Sequence, residues 1–537
     1  MKRYLTLTLL LTLLILAPLA LAQESDEGAA WANETVFYEI FVRSFYDSDG
    51  DGKGDIRGVI EKLDYLNDGD PNTTTDLGIT GIWLMPVMES PSYHGYDATD
   101  YYMLDKDYGT NDDFKLFMEE AHKRGIRVIV DLMLNHTSVQ HEWFIESGDP
   151  QSEKADWYIW EDENPNYRGP DNQQVWHGLR GRYYYGVFWS GMPDLNFTNP
   201  DVTAQMYDVT RFWLEEMNVD GFRLDAIKHI IEDGTIQENT PATRQWLADY
   251  RAFVKSIKPD ALLVGEVWSP TFAIAPYVGT AVDIAFEFDL AEALIRGASF
   301  GTPNLVTRQL ETVFESYPPN AFATFLTNHD QNRFMTQIRG DAAAAKNGAS
   351  LLLTLPGVPF IYYGEEIGMT GMKPDEDIRK PMQWDDTPKT AGFTSGERVW
   401  RAVNNDAFEG VNVAAQTENP DSLLSHYRAL VQARVSSPAL QSGDMILVES
   451  SNRKLFTFLR QSEAQTVLVM INLDDRPVTE YTLTLESGTL AEGVTASALL
   501  ASGEVNAPQV NGQGGFADYT PLAELAPNSV TLIQLGE

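Results

Sequence analysis

The stretch Gly221–His229, GFRLDAIKH, places an arginine two residues before an aspartate inside an otherwise apolar run. In a β-strand, side chains at i and i+2 leave the same face. Arg223 and Asp225 then point one way, and Phe222 and Leu224 the other. Two readings compete. The pair either closes a strand end as a satisfied ion pair, or it is a carboxylate held ionised by a guanidinium, as a nucleophile requires.

Working outward, short apolar runs recur between helical or polar stretches. VFYEIFV (36–42), GIWLMPV (81–87), IRVIVDL (126–132) and DGFRLD (220–225) come first. LLVGEV (262–267), VDIAFEF (282–288), FATFLTN (322–328) and PFIYYG (359–364) follow. Near-continuous apolar strands alternating with helices predict a parallel sheet covered on both faces. One such helix, DDFKLFMEEAHKRG, runs from Asp112 with Gly125 as its stop. Eight units are what a (β/α)8 TIM barrel needs. The interval between the third and fourth strands is too long for a loop and rich in Trp, Tyr, Asn and Gly, which predicts a small inserted domain. After SLLSHYRALVQAR (422–434), the segments KLFTFLR, TVLVMINL, YTLTLE and SVTLIQL read as a C-terminal antiparallel β-sandwich. The expected division is a leader over 1–22, barrel over 23–136, inserted domain over 137–199, barrel again over 200–438, and the β-domain over 439–537.

The leader MKRYLTLTLLLTLLILAPLALAQ has a basic start, an apolar stretch and small residues at Ala20 and Ala22. It predicts a signal peptide cut between Ala22 and Gln23, and a secreted protein with no membrane anchor in its mature form. The formal net charge of -39 opposes binding to nucleic acid or anionic membrane and suits a neutral ligand. Cysteine is absent, so no disulfide forms. A monomer is expected.

Polar residues gather where the strands end, and barrel enzymes keep their active sites at that C-terminal face. The third strand runs into Asp131, Asn135 and His136, and the fourth supplies Arg223 and Asp225. Glu266 ends the fifth, and the seventh leads to His329 and Asp330. Carboxylates on separate strands, with histidines, suggest glycoside hydrolysis. Arg223 is expected to keep Asp225 anionic. Glu266, beside two aspartates and the apolar Val267 and Trp268, is expected to have a raised pKa and carry the proton.

The chain resembles the α-amylase family of glycoside hydrolases, family thirteen. DLMLNH, GFRLDAIKH, GEVW and FLTNHD resemble that family's four signature stretches, and HGYD (94–97), GMPDLN and GVPFIYYGEEIGM (357–369) are further matches. The resemblance implies that Asp225 is the nucleophile, Glu266 the general acid/base and Asp330 the carboxylate that holds sugar hydroxyls. It implies that Arg223 tunes Asp225, that His136 and His329 bind the sugar at the cleavage point, and that Tyr96 lies beneath it. Family membership also implies retention of configuration. A non-catalytic accessory protein would lack the nucleophile or the acid, whereas all three carboxylates are present.

DSDGDGKGD (47–55) alternates Asp47, Asp49, Asp51 and Asp55 with glycines, and with the Lys53 carbonyl it suits Ca²⁺. Gly58 stands where an EF-hand has its final glutamate, so the loop is not an EF-hand. The resemblance implies a second Ca²⁺ near Asn135 and the His229 carbonyl. There Asn196 stands where an aspartate often serves, so the site has less charge. Lys228 and His229 resemble the pair that contacts sugar on the leaving-group side in endo-acting amylases. IRKPMQWDD (378–386) resembles oligo-1,6-glucosidases and trehalose synthases, and MPDLN resembles an intermediary set of secreted bacterial α-amylases. The implied substrate is an α-glucan.

Overall fold

The computed structural model describes residues 27–501 and 503–536; the leader lies outside them. Eight strands close a parallel barrel in sequence order: β1 Phe37–Ile40, β2 Gly81–Leu84, β3 Arg127–Leu132, β4 Gly221–Leu224, β5 Leu262–Gly265, β6 Ile284–Phe286, β7 Phe322–Phe325 and β8 Val358–Tyr362. β8 pairs back onto β1, so no edge is left open. All eight runs chosen from the sequence are these strands.

The strands are buried on both faces, and their alternation sorts residues between two cores. Phe37, Trp83, Ile129, Val264, Phe286, Phe325 and Phe360 pack inside the barrel. Ile40, Leu84, Val130, Phe222 and Leu224 pack outward against the helices. Arg223 therefore points inward, directly in register with Asp131 on β3. The helix expected from Asp112 spans Asn111–Lys123, and a reciprocal Thr110–Asp113 capping box starts it.

The inserted segment carries a three-stranded antiparallel sheet in which Arg182–Tyr185 lies between Trp160–Glu161 and Trp176–Leu179. It returns to the barrel where the Leu195 N–H donates to the Asn135 carbonyl at 2.8 Å. Beyond the barrel, a five-stranded sheet and a three-stranded sheet enclose a core of Leu459, Leu468, Leu483, Phe516 and Ile533. The outer face of the larger sheet, including Phe456, Phe458 and Val469, joins the barrel's helical core. No helix among the described residues is long and apolar enough to cross a membrane.

Candidate active site

β4 ends by placing Arg223 at the centre of the barrel mouth, fully buried. Its Nη1 lies 2.7 Å from Asp131 and 2.6 Å from Asp225, and its Nη2 lies 2.9 Å from Glu266. The guanidinium also lies over the rings of Trp83 and Tyr96, at 5.2 and 5.9 Å from their centroids. Burial alone would lower its pKa, but the surrounding acids raise it well above the ordinary value. Arg223 is a fixed cation shared by three carboxyls.

Sharing has a consequence for those carboxyls. Burial raises Asp225, and the Arg223 charge opposes that rise without cancelling it. Glu266 is raised by burial and by the negative neighbours Asp225 and Asp330, again against Arg223. Asp131, the most enclosed, is pushed to about 7, chiefly by burial. Arg223 acts on Asp225 in the expected direction, favouring its anion, while sharing that charge with Asp131 and Glu266 leaves part of the burial effect uncompensated. The raised pKa expected for Glu266 is present.

Asp330 behaves oppositely. Burial would raise it, but His329 at 2.9 Å and Arg379 at 2.9 Å hold it far below the usual carboxylate range. Burial would likewise lower His329, yet Asp330 and Glu39, the latter 2.5 Å from Nδ1, raise it to about 9. Tyr96 stacks on His329, with centroids 5.5 Å apart, and its hydroxyl donates to Asp131 at 3.0 Å. Glu39 and Arg379 were not chosen as site residues from the sequence. Glu39 occupies an inward position of FYEI, and Arg379 is the arginine of IRKP; those are the signals that were there to find.

One backbone feature links nucleophile and acid candidates. Ala226 adopts φ 47°, ψ 37°, left-handed for a residue with a side chain, and its N–H donates to Glu266 Oε2 at 2.9 Å. The carboxyls of Asp225, Glu266 and Asp330 all open into one cleft of about 620 Å³, lined also by Tyr96, His136, His229 and Lys228.

Two further histidines of the cleft, His136 and His229, are held neutral by burial. Burial lowers His136 to about 4 and also lowers His229. His136 Nε2 donates to the Tyr96 carbonyl at 3.0 Å, and His229 Nδ1 donates to the Gln237 carbonyl at 2.8 Å. Lys228 is engaged by the protein itself: its ammonium pairs with Glu238 at 2.7 Å and donates to the Trp268 carbonyl at 3.1 Å.

The acidic loop brings Asp47, Asp49 and Asp55 together, with carboxylate oxygens within 4.8 Å of one another. Asp51 stands outside that group. It is exposed, and its carboxylate accepts from the Lys53 N–H at 2.8 Å. The Lys53 side chain leaves the loop for Asp107, at 2.7 Å. Three hard oxygen donors fit Ca²⁺. Near Asn135 the anticipated weakness is absent. Asn196 is tied to Thr198 and the Asp156 carbonyl, while Asp194 and Glu232 supply charge instead. Asn135 Oδ1, Asp194 Oδ2 and Glu232 Oε1 are buried without hydrogen-bond partners, and burial raises Asp194 to about 7 and Glu232 to about 8. A divalent cation fits these orphaned oxygens. Asp194 lies in the same MPDLN stretch, two residues before Asn196.

A closed parallel barrel with carboxylates converging at its C-terminal mouth is the architecture of a barrel glycoside hydrolase. Residues 39–443 match the family described as Alpha amylase, catalytic domain. Alpha-amylase 3 of Dictyoglomus thermophilum is 40% identical over 451 residues, covering 83% of this chain and 85% of that protein. An oligo-1,6-glucosidase of Heyndrickxia coagulans is 32% identical over 528 residues, covering 83% and 93%. The crystal structure of an α-amylase from H. orenii superposes with a TM-score of 0.78 at 41% identity, covering 93% of this chain and 99% of that one. The chain belongs to the α-amylase family of glycoside hydrolases.

Proposed function

We propose that this enzyme is a secreted, calcium-stabilised α-amylase that cuts within α-1,4-glucan chains with retention of configuration. Asp225 attacks the anomeric carbon while Glu266 protonates the departing oxygen; the Glu266 carboxylate then takes a proton from the water that releases the glycosyl–Asp225 ester. Asp330, anionic beside His329 and Arg379, accepts hydrogen bonds from sugar hydroxyls. The observation that carries the reading is the shared cleft, whose wall continues past the proton donor to His229, Lys228 and Trp268 and so has room for sugar beyond the cut. The 40% identity to a protein named α-amylase supports it. An oligosaccharide-acting α-glucosidase is the second reading, supported by the Arg379–Asp330 pair from the IRKP segment and by the oligo-1,6-glucosidase relative.

Soluble starch separates the two. Early loss of iodine colour with mixed maltooligosaccharides is expected; glucose alone with persistent colour moves the assignment to α-glucosidase. Asp225→Asn abolishes turnover in either case, and near-normal activity in that variant sinks the nucleophile assignment. Structural Ca²⁺ would be held by Asp47, Asp49 and Asp55, and a second ion by Asn135, Asp194 and Glu232. Its binding stabilises only the folded chain. Chelation is expected to lower the melting temperature, by less in Asp49→Ala; an unchanged melting temperature contradicts the metal proposal. Export rests on residues 1–22 and is checked by the N-terminus of protein recovered outside the cell.

A further inference from the structure

β1 carries one charged side chain, Glu39, in the run FYEI. It lies in register with Trp83 on β2 and Tyr362 on β8, and it is 1% exposed. The His329 ring it meets is wholly buried, edge-on to Trp83 at 5.6 Å and stacked on Tyr96. The ring's Nδ1 lies 2.5 Å from Glu39 Oε1, and its Nε2 lies 2.6 Å from the Tyr96 hydroxyl and 2.9 Å from Asp330. A carboxylate only accepts, so Glu39 requires a proton on Nδ1 and Asp330 requires one on Nε2. The Tyr96 hydroxyl directs its hydrogen to Asp131 and offers His329 a lone pair. Every group bonded to the ring is thus an acceptor, and a ring that donates from both nitrogens is the imidazolium. Among the charges on neighbouring elements, Asp131 and Asp225 also favour that cation, while Arg223 and Arg379 compete with it for Asp330. Tyr96 and Asp330 face the cleft, where a sugar can take their place as partners; Glu39 is not part of its lining.

We infer that Glu39 is a positioning residue for the reaction: by accepting from Nδ1 it holds His329 as a cation whose Nε2–H is turned to Asp330, so that Asp330 meets the sugar hydroxyls as an anion of fixed orientation. The inference rests on the reading of Asp330 as the carboxylate that holds those hydroxyls. Glu39 itself touches neither sugar nor reacting atoms. Its charge and its shape are separable. Glu39→Gln keeps the shape, but the amide can donate to Nδ1 as readily as accept from it. The neutral ring, protonated on Nε2 alone, then becomes available, and the cation survives only to a lower pH. Burial already opposes the cation, so water does not replace the lost anionic partner.

The test is the pH profile of kcat/KM on α-maltotriosyl fluoride. Fluoride departs with little need of the Glu266 proton, so the alkaline limb reports the rest of the site. The His329 ring titrates at about 9, which places the native limb there. In Glu39→Gln the limb should move to lower pH, so that the rate at about pH 8.5 falls about tenfold below native. At about pH 6, where the ring is charged in both proteins, the rate should stay within about threefold. Glu39→Asp keeps the charge and should return the limb toward its native position. A limb that does not move in Glu39→Gln, or an equal loss at both pH values, overturns the positioning role. Should Glu39→Gln fail to fold, nuclear magnetic resonance of the native protein with isotopically labelled histidine decides. The His329 signals, assigned by their absence from His329→Gln, should show both ring nitrogens protonated at neutral pH; one unprotonated nitrogen overturns the inference. Failure of the broader reading is seen separately, as native protein that hydrolyses neither the fluoride nor starch.

Discussion

Arg223 and Arg434 are both buried arginines, at opposite ends of the same barrel, and they are held in opposite ways. Arg223, at the mouth, is surrounded by Asp131, Asp225 and Glu266. Arg434, under the base, donates to the carbonyls of Leu353, Leu355 and Gly357 at 2.6–3.0 Å. Arg460 of the C-terminal domain does the same to Thr354 at 2.7 Å and Gly443 at 3.1 Å. The Leu353, Thr354 and Leu355 carbonyls among them close the helix Ala342–Thr354, where aligned peptide dipoles concentrate partial negative charge. Burial lowers Arg434 to about 9, so it remains charged at neutral pH. The difference lies in what the partner can exchange. Carboxylates give and take protons, whereas carbonyls cannot. The mouth can do chemistry, and the base holds the helix end, the entry to β8 and the C-terminal sheet in register.

Breaking the cation at the mouth has the largest expected effect. Arg223→Met leaves three buried acids without their counter-charge, and turnover on maltoheptaose should fall by about 10³-fold or more. Arg223→Lys keeps the charge without the fork and should fall between the variant and the native enzyme. Loss of less than tenfold in Arg223→Met would remove the contrast.

The titratable character of the mouth is tested next. The folded pKa of His329, about 9, lies above its ordinary value of 6.5. Its stabilising contribution is therefore complete below about pH 6.5 and lost as pH rises through about 9, amounting to about 3 kcal/mol. Chemical denaturation from pH 6 to 9.5 should show this alkaline loss in the native protein and not in His329→Gln. Parallel curves for the two proteins would break the idea.

The smallest effect belongs to the base. Arg434→Met leaves buried carbonyls unpaired and should cost about 2 kcal/mol of stability, with turnover per folded molecule within about twofold of native. Because Arg434 titrates above pH 8, that penalty should be flat between pH 5 and 8. A pH-dependent penalty would mean that the base, too, is coupled to a proton.

The sequence is transparent where one residue decides the outcome by itself. Each barrel strand is a run whose every side chain is buried or nearly so, and a period of two puts Arg223 and Asp225 on one inward face without reference to anything distant. Partners chosen by loops are opaque. Lys228 reads as a sugar contact, and it lines the cleft, but that its acidic partner is Glu238, ten residues later, is decided by how the loop folds back. Asp51 has the spacing of a ligand, yet spacing does not say which way a turn will send the side chain. Glu39 and Arg379 lie 290 and 50 residues from His329, and only the closed barrel makes them its neighbours or tethers.

The left-handed Ala226 bears on how such an enzyme can change. A single peptide N–H bridges from the residue after Asp225 to Glu266, so the left-handed turn at Ala226 helps, with the Arg223 guanidinium, to hold the two carboxyls at a fixed spacing. Other residues that line the cleft, such as Phe188 of the inserted segment and Asp375 of the loop after β8, lie outside that bridge. They form a module that mutation can rebuild while the chemistry keeps its spacing. Selection for a new linkage or acceptor then has many positions to work on and few to leave alone.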